Sequence, residues 1–265
     1  MHILGEILNF LDADMNEPAS YGFFHLFFFA LSVLAGVVLC RVMPQGNEKQ
    51  ARRILLITTV IVAVLELYKQ INYTFSYDGQ TITADFQWYA FPFQFCSTPL
   101  YVGAVACLTK GRVHRACCAY LATFSVFAGL CVMFYPEQVF IDTIGINLQT
   151  MICHGAMITV GIWLMLTGYV KAEHKTVFRA VPVFTACIGI AILLNEIAYR
   201  TNFTNGETFN MFYISPYCEP SLPVYSSVQQ AVAYPWCLFI YIGVFTLAAF
   251  IMLWMFWGIK RMCRR

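Results

Sequence analysis

The sequence predicts an all-α, polytopic membrane protein, a seven-transmembrane-helix bundle with its N-terminus outside and its C-terminus inside. Of the 265 residues, 60% are hydrophobic and only 11% are charged, whereas a soluble domain has about 25% charged residues. The apolar residues form long continuous runs, which favours membrane helices over the period-two alternation of a barrel. The basic residues cluster in every second loop between these runs.

Residues 1–20 differ from a signal peptide because they lack a basic leading segment and contain several acidic residues. Their apolar positions fall on one helical face, as in a short helix that lies on the membrane surface. These positions are Ile3, Leu4, Ile7, Leu8 and Leu11. We therefore expect an interfacial segment over 1–20, with a disordered acidic leader as the alternative, in a chain that forms one integral membrane domain over 1–265.

Seven segments could each cross the membrane, since a span of about 30 Å takes roughly 20 helical residues. They are 21–43, 54–73, 93–109, 116–135, 148–170, 177–199 and 232–259. The third is the shortest and begins just after Pro92, which a first helical turn tolerates. The longest polar stretch, 200–231, is expected to be an outer loop.

The distribution of charge sets the predicted orientation. Every Lys and Arg except Lys69 and Arg200 follows span one, three, five or seven. Acidic residues occupy the other loops: Asp78, Asp85, Glu137, Asp142, Glu207 and Glu219. This alternation is the positive-inside pattern, and omitting one span would break it. The net charge of +2 is too small to indicate a nucleic-acid partner.

Polar residues within the predicted spans concentrate in the outer half of the membrane. Ionisable groups at such depth are costly and usually functional. The set comprises His25, Glu66, Lys69, Cys96, His154, Asn195, Glu196 and Tyr199. Singly, each has a structural explanation, such as an ion pair between helices, a hydrogen-bonded histidine or a packed cysteine. Together they predict one polar chamber open to the outer leaflet.

Spacing relates two of these charged residues. Glu66 and Lys69 stand three positions apart, so they share a helical face and can pair, which lowers the cost of burying either one. No metal site and no cofactor is indicated. His114 and His174 belong to basic inner segments and are expected to be solvated. Most of the eleven cysteines lie in apolar runs and are expected to be reduced thiols.

A cysteine and a histidine in this chamber suggest acyl chemistry, because an imidazole can activate a thiol that attacks an acyl carbonyl. Cys96 lies in FPFQFCSTPLY, where Pro99 is expected to kink the third span and expose the thiol. His154 lies in QTMICHGAM, with Gly155 leaving room beside the ring. His25 is a second candidate for the base.

Several motifs resemble those of the YwaF-like integral membrane family, the family of vertebrate transmembrane protein 164, an ether-phospholipid acyltransferase. They keep the family's order over most of the chain. The matching positions are Phe24-His25-Leu26, Glu66, Lys69, the Cys96 motif with Gln94, His154, Asn195 and the loop from Asn210 to Pro216. The loop reads Asn210-Met211-Phe212-Tyr213 where the family usually has Asn-Tyr before its hydrophobic pair.

The resemblance implies a lipid acyltransferase in which Cys96 carries the acyl group as a thioester and His154 acts as base. Its partners would be membrane phospholipids or lysophospholipids in a cell membrane, with a bacterial plasma membrane favoured. The expected supporting residues are His25, Glu66, Lys69, Gln94, Asn195, Glu196, Tyr199 and Asn210. The alternatives are a lipid hydrolase with the same site, a transporter with an intramembrane Glu/Lys path, a seven-helix receptor and a purely structural membrane subunit.

Overall fold

The computed structural model describes residues 2–136, 139–222 and 225–262, so the predicted charge-pattern residues Glu137, Arg264 and Arg265 lie outside it. The described residues form an all-helical bundle with one small hairpin. The helices are α1 (His2–Leu11), α2 (Phe23–Val42), α3 (Glu48–Asn72), α4 (Thr98–Leu108), α5 (Gly111–Ala122), α6 (Phe124–Phe134), α7 (Ile144–Leu166), α8 (His174–Thr201), α9 (Tyr225–Ala231) and α10 (Trp236–Met262). Strands β1 (Phe75–Tyr77) and β2 (Ile82–Ala84) pair antiparallel.

Within the described residues, six helical segments are long and apolar enough to cross a membrane: α2, α3, α5 continued by α6, α7, α8 and α10. The chain is therefore a multi-pass membrane protein. The predicted third span differs from expectation, because α4 has 11 residues and rises only about 16 Å. The residues before it form the short 3₁₀ turn Phe95–Ser97 and irregular backbone.

Helix α7 is the centre of the bundle and packs against α2, α3, α5, α6 and α10. Small residues allow these contacts, as is typical between membrane helices. A Cβ at Gly129 would lie 2.8 Å from the His154 backbone oxygen, and one at Gly155 would collide with the Ser32 hydroxyl. Helices α2 and α3 instead leave most of their surface exposed, as lipid-facing helices do.

The N-terminal segment forms helix α1, as its apolar face predicts. Its Gly5 packs against the Tyr77 ring of the hairpin. The Tyr68 hydroxyl donates to the Leu11 carbonyl at 2.7 Å, and Asn72 Nδ2 donates to Asp12 at 3.0 Å. The helix is thus fastened to the end of α3, while Ile3 and Phe10 remain 79% exposed.

The opposite end of the bundle is closed by polar contacts. Arg52 at the start of α3 donates to the carbonyls of Cys107 and Thr109 at the end of α4. Contrary to expectation, His114 is buried, with Nδ1 2.7 Å from the Ala106 carbonyl and Nε2 2.5 Å from the Tyr169 hydroxyl. Its basic sequence neighbours point elsewhere, because one face of α5 packs into the core while the other is exposed.

Candidate functional site

Cys96 lies where irregular chain turns into helix. It occupies the 3₁₀ turn Phe95–Ser97, two residues before α4 begins. Pro99 stands in the first turn of α4 rather than inside a longer helix, so the expected kink is absent: a first-turn proline has no helical hydrogen bond to remove. The N-terminal end of α4, which carries partial positive charge, therefore adjoins Cys96.

The predicted ion pair is present beside this cysteine. Lys69 Nζ lies 2.7 Å from Glu66 Oε1, and both side chains are largely buried. Gln70 Nε2 donates to the same carboxylate oxygen at 2.8 Å and to the Ala90 carbonyl at 3.0 Å. Both charges act electrostatically on the Cys96 thiol. Lys69 is also within electrostatic range of His154, so the same ammonium group influences both candidate catalytic residues.

His154 is buried, and its hydrogen bonding determines which nitrogen can accept a proton. Nδ1 lies 2.7 Å from the Thr150 carbonyl. A carbonyl oxygen only accepts hydrogen bonds, so Nδ1 carries the hydrogen and neutral Nε2 carries the lone pair. Nε2 is buried and has no hydrogen-bond partner among the described residues, Cys96 included. The ring is therefore held in the tautomer that a general base requires.

His25 has the opposite arrangement. The Tyr21 backbone N–H donates to His25 Nδ1 at 3.1 Å, so in the neutral ring the hydrogen resides on Nε2. The Met133 carbonyl is close to the ring, although Nε2 completes no hydrogen bond within the described residues. His25 is therefore arranged as a donor, and of the two predicted bases only His154 presents a lone pair.

Two predicted amides hold the loop 210–216 against the Cys96 segment. Asn195 donates to the Met211 carbonyl at 3.1 Å and accepts from the Met211 N–H at 2.8 Å. Gln94 donates to the Asn210 carbonyl at 3.0 Å and accepts from the Phe212 N–H at 2.9 Å. Asn210 closes the loop by accepting from the Ser215 N–H at 2.9 Å. These three residues therefore position backbone rather than contact the thiol.

The loop supplies Tyr213, which the sequence analysis did not single out. Phe212 and Tyr213 both have left-handed backbones, with φ of 60° and 58°, a conformation that is unusual for bulky residues. Partial burial raises the pKa of Tyr213, of which 42% is still exposed, and Cys96 raises it further, so the phenol stays protonated at neutral pH. Such a strained aromatic residue beside a reactive group is typical of functional sites.

Glu196 and Tyr199 lie apart from this cluster, although sequence reasoning grouped them with it. Glu196 pairs with Arg200, and the Tyr217 hydroxyl donates to Glu196 Oε2 at 2.6 Å. Tyr199 stacks on Tyr217 with 3.6 Å between ring centroids. Glu196 is the next helical position after the buried Asn195 and points about 100° away from it. Tyr199 is four positions further along the same side as Asn195, but it lies in the last turn of α8 and is 61% exposed.

A narrow cavity of about 40 Å³ is lined by Cys96 and by residues of α3, α4, α5, α6 and α7. Cys153 also lines it, and Gln149 Nε2 lies 3.6 Å from Cys153 Sγ. Sequence analysis missed Cys153, although its position next to His154 was a usable signal. The ten cysteines that the structure describes are all free. Across the same described residues, no group of His, Cys, Asp and Glu side chains could hold a metal ion.

These features define a class: a multi-pass helical membrane protein with a half-buried cysteine, a buried histidine and a largely buried ion pair near one end of its bundle. The family model of the TMEM164 family matches residues 20–254, and the chain belongs to that family. This agrees with the resemblance in the sequence motifs. Neither the curated proteins nor the solved structures contain a match to this chain.

Proposed function

We propose that the protein is a membrane-embedded lipid acyltransferase, a transacylase that moves a fatty acyl group between glycerophospholipids. The acyl group is carried on Cys96 as a thioester, and His154 is the base. The observation that carries this proposal is the tautomer of His154: Nδ1 is engaged by Thr150, and Nε2 keeps its lone pair without a partner among the described residues. Lys69 is within electrostatic range of both His154 and Cys96.

The first half-reaction forms the thioester. His154 Nε2 takes the Cys96 proton, and the thiolate attacks an ester carbonyl of the donor phospholipid. Lys69 and the N-terminal end of α4 favour the negative sulfur. When the tetrahedral intermediate collapses, the ester C–O bond breaks and His154 returns its proton to the departing lysolipid oxygen. Donor ester and thiol thereby become acyl thioester and lysolipid.

The second half-reaction transfers the acyl group. His154 removes a proton from an acceptor lysolipid hydroxyl, whose oxygen attacks the thioester. The C–S bond breaks, and the proton returns to the Cys96 sulfur. Water in place of the lysolipid would make the same site a hydrolase. Because Cys96 and His154 are not hydrogen-bonded to each other, their contact forms when lipid enters, as catalytic contacts commonly do.

The proposal includes seven membrane crossings, with the N-terminus outside, the C-terminus inside and the site towards the outer leaflet of a cell membrane, a bacterial plasma membrane being favoured. The contact of Arg52 with the Cys107 and Thr109 carbonyls supports this count, because it brings the end of α4 back to the end of the bundle where α3 begins. The irregular segment and α4 would then make the remaining crossing together.

The test is intact-protein mass spectrometry after incubation of the purified chain with phospholipid vesicles. We expect a fatty-acyl mass increase that hydroxylamine removes in the wild type and in Cys131→Ala, a control at an exposed cysteine. Cys96→Ala should show no increase. A labelled lysolipid acceptor then distinguishes the two enzymes, since a transacylase yields labelled phospholipid and a hydrolase free fatty acid. Full transfer by Cys96→Ala would exclude the cysteine mechanism.

A further inference from the structure

The cavity below Cys96 extends away from the polar groups. Along α3 its lining runs from Val62 to Leu55, and along α7 from Cys153 to Val160. Seven helical residues correspond to about 10 Å in each case. The cavity therefore extends from the level of Cys96 towards the middle of the bundle, and no residue of the loop 210–216 is part of its lining as described.

The lining of the cavity is suited to hydrocarbon. Among the described residues no charged side chain lines it; apart from the Cys96 and Cys153 thiols, its polar groups are the hydroxyls of Thr58, Thr59 and Ser125. An acyl chain already lies in hydrocarbon within the bilayer, so it can enter an apolar cavity without losing contacts with water. A lipid head group, in contrast, would have to leave water without ionic partners.

From these observations we propose that this cavity is the acyl-chain site of the enzyme, and that Gly103 and Thr59 set its width. The inference rests on the proposed function, because it places the chain of the Cys96 thioester. A chain that leaves the thioester carbon has two directions, the charged side at Glu66 and Lys69 or the apolar cavity. The cavity takes the proximal methylenes, while the lysolipid portion leaves on the side of Tyr213.

Gly103 determines how closely α3 and α4 approach beside the cavity. A Cβ at this position would lie 2.5 Å from Thr59 Oγ1 but 3.8 Å from Thr59 Cβ. An alanine therefore forces the Thr59 hydroxyl to move, and both residues line the cavity, so its width changes. Removing that hydroxyl restores the room. Gly103→Ala and the double variant Gly103→Ala/Thr59→Ala thus form a matched pair.

The first experiment measures chain selectivity. Wild type and variants receive equal mixtures of phosphatidylcholines with short straight, long straight and methyl-branched acyl chains, the branch lying within the first few carbons after the carbonyl, and the Cys96 adducts are compared by intact mass. We expect Gly103→Ala to lower the ratio of branched to straight adducts about tenfold, the discrimination typical of a tight apolar pocket. The double variant should restore it. Gly243→Ala, where a Cβ meets open space, should match the wild type. An unchanged ratio in Gly103→Ala would overturn the proposal.

The second experiment separates this inference from the proposed function. Cys96→Ala is incubated with a phospholipid whose acyl chain carries a photoreactive diazirine, and the labelled residues are mapped after illumination. Labelling at Leu55, Val62 and Val160 supports the acyl-chain site even if no thioester is ever detected. Labelling confined to outward residues such as Val64 and Leu67, which are 61% exposed, overturns the site even where the wild type forms the thioester.

Discussion

Two buried histidines at opposite ends of the bundle differ in one respect. His114 and His154 both direct Nδ1–H to a backbone carbonyl, at 2.7 Å in each case. At His114 the Tyr169 hydroxyl occupies Nε2, whereas at His154 Nε2 has no partner among the described residues. Burial is therefore common to a structural and a candidate catalytic imidazole, and the free lone pair distinguishes them.

The surroundings of the two rings agree with this distinction. Burial raises the pKa of Tyr169 to about 12, so its phenol stays protonated and continues to donate to His114. His154 instead lies within electrostatic range of Lys69, a member of the largely buried Glu66–Lys69 pair. Unpaired buried polar atoms are rare because they cost about 1–3 kcal/mol, and this cost is tolerated where function requires it.

The largest effect in the comparison of His154 with His114 is expected for the substitution His154→Gln. Glutamine fills much of the same space but is not a base, so we expect acyl transfer to fall about 10²–10⁴-fold. The protein should still form the folded bundle. Transfer rates and melting temperature measured on the same preparation check this. A variant with near-normal transfer would assign the base to another group.

The substitution His114→Gln is expected to lower stability and leave acyl transfer unchanged. Removing the His114 imidazole leaves the Tyr169 hydroxyl and the Ala106 carbonyl without their partner, which costs about 1–3 kcal/mol of stability. Acyl transfer per folded molecule should be unchanged. Thermal unfolding in detergent, together with activity normalised to folded protein, checks the expectation. A specific loss of transfer without a lower melting temperature would contradict the structural role.

The smallest effect is expected at the outer surface. Glu196→Gln weakens the contacts with Tyr217 and Arg200, and Tyr199→Leu removes the ring stack with Tyr217, away from Cys96. We expect acyl transfer equal to that of the wild type, measured with the same lipid mixture. Asn195→Ala is the matched comparison, since it releases the Met211 loop and should lower transfer. Equal losses of acyl transfer in all three variants would show that Glu196 and Tyr199 belong to the functional site.

Composition and the long apolar runs were sufficient to predict the helical membrane class, and the i, i+3 spacing predicted the Glu66–Lys69 pair. The short α4 could not be predicted in this way, because an apolar run does not reveal where 3₁₀ or irregular backbone replaces helix. The roles of His25 and His154 depend on which backbone group each ring contacts, the Tyr21 N–H or the Thr150 carbonyl. Both partners stand four residues before the histidine, so sequence spacing alone does not distinguish the two rings. Tyr213 and Cys153 reach Cys96 only through long-range packing.

The shortness of α4 has a consequence for the lipid around it. A regular helix of about 16 Å covers roughly half of a hydrocarbon layer of about 30 Å, so the bilayer beside it meets a hydrophobic mismatch. Lipids next to a short hydrophobic segment adjust by local thinning. In the proposed acyltransferase, such thinning would bring the ester groups of neighbouring phospholipids closer to the depth of Cys96, so that the membrane itself would help to present the ester bond to the thiol.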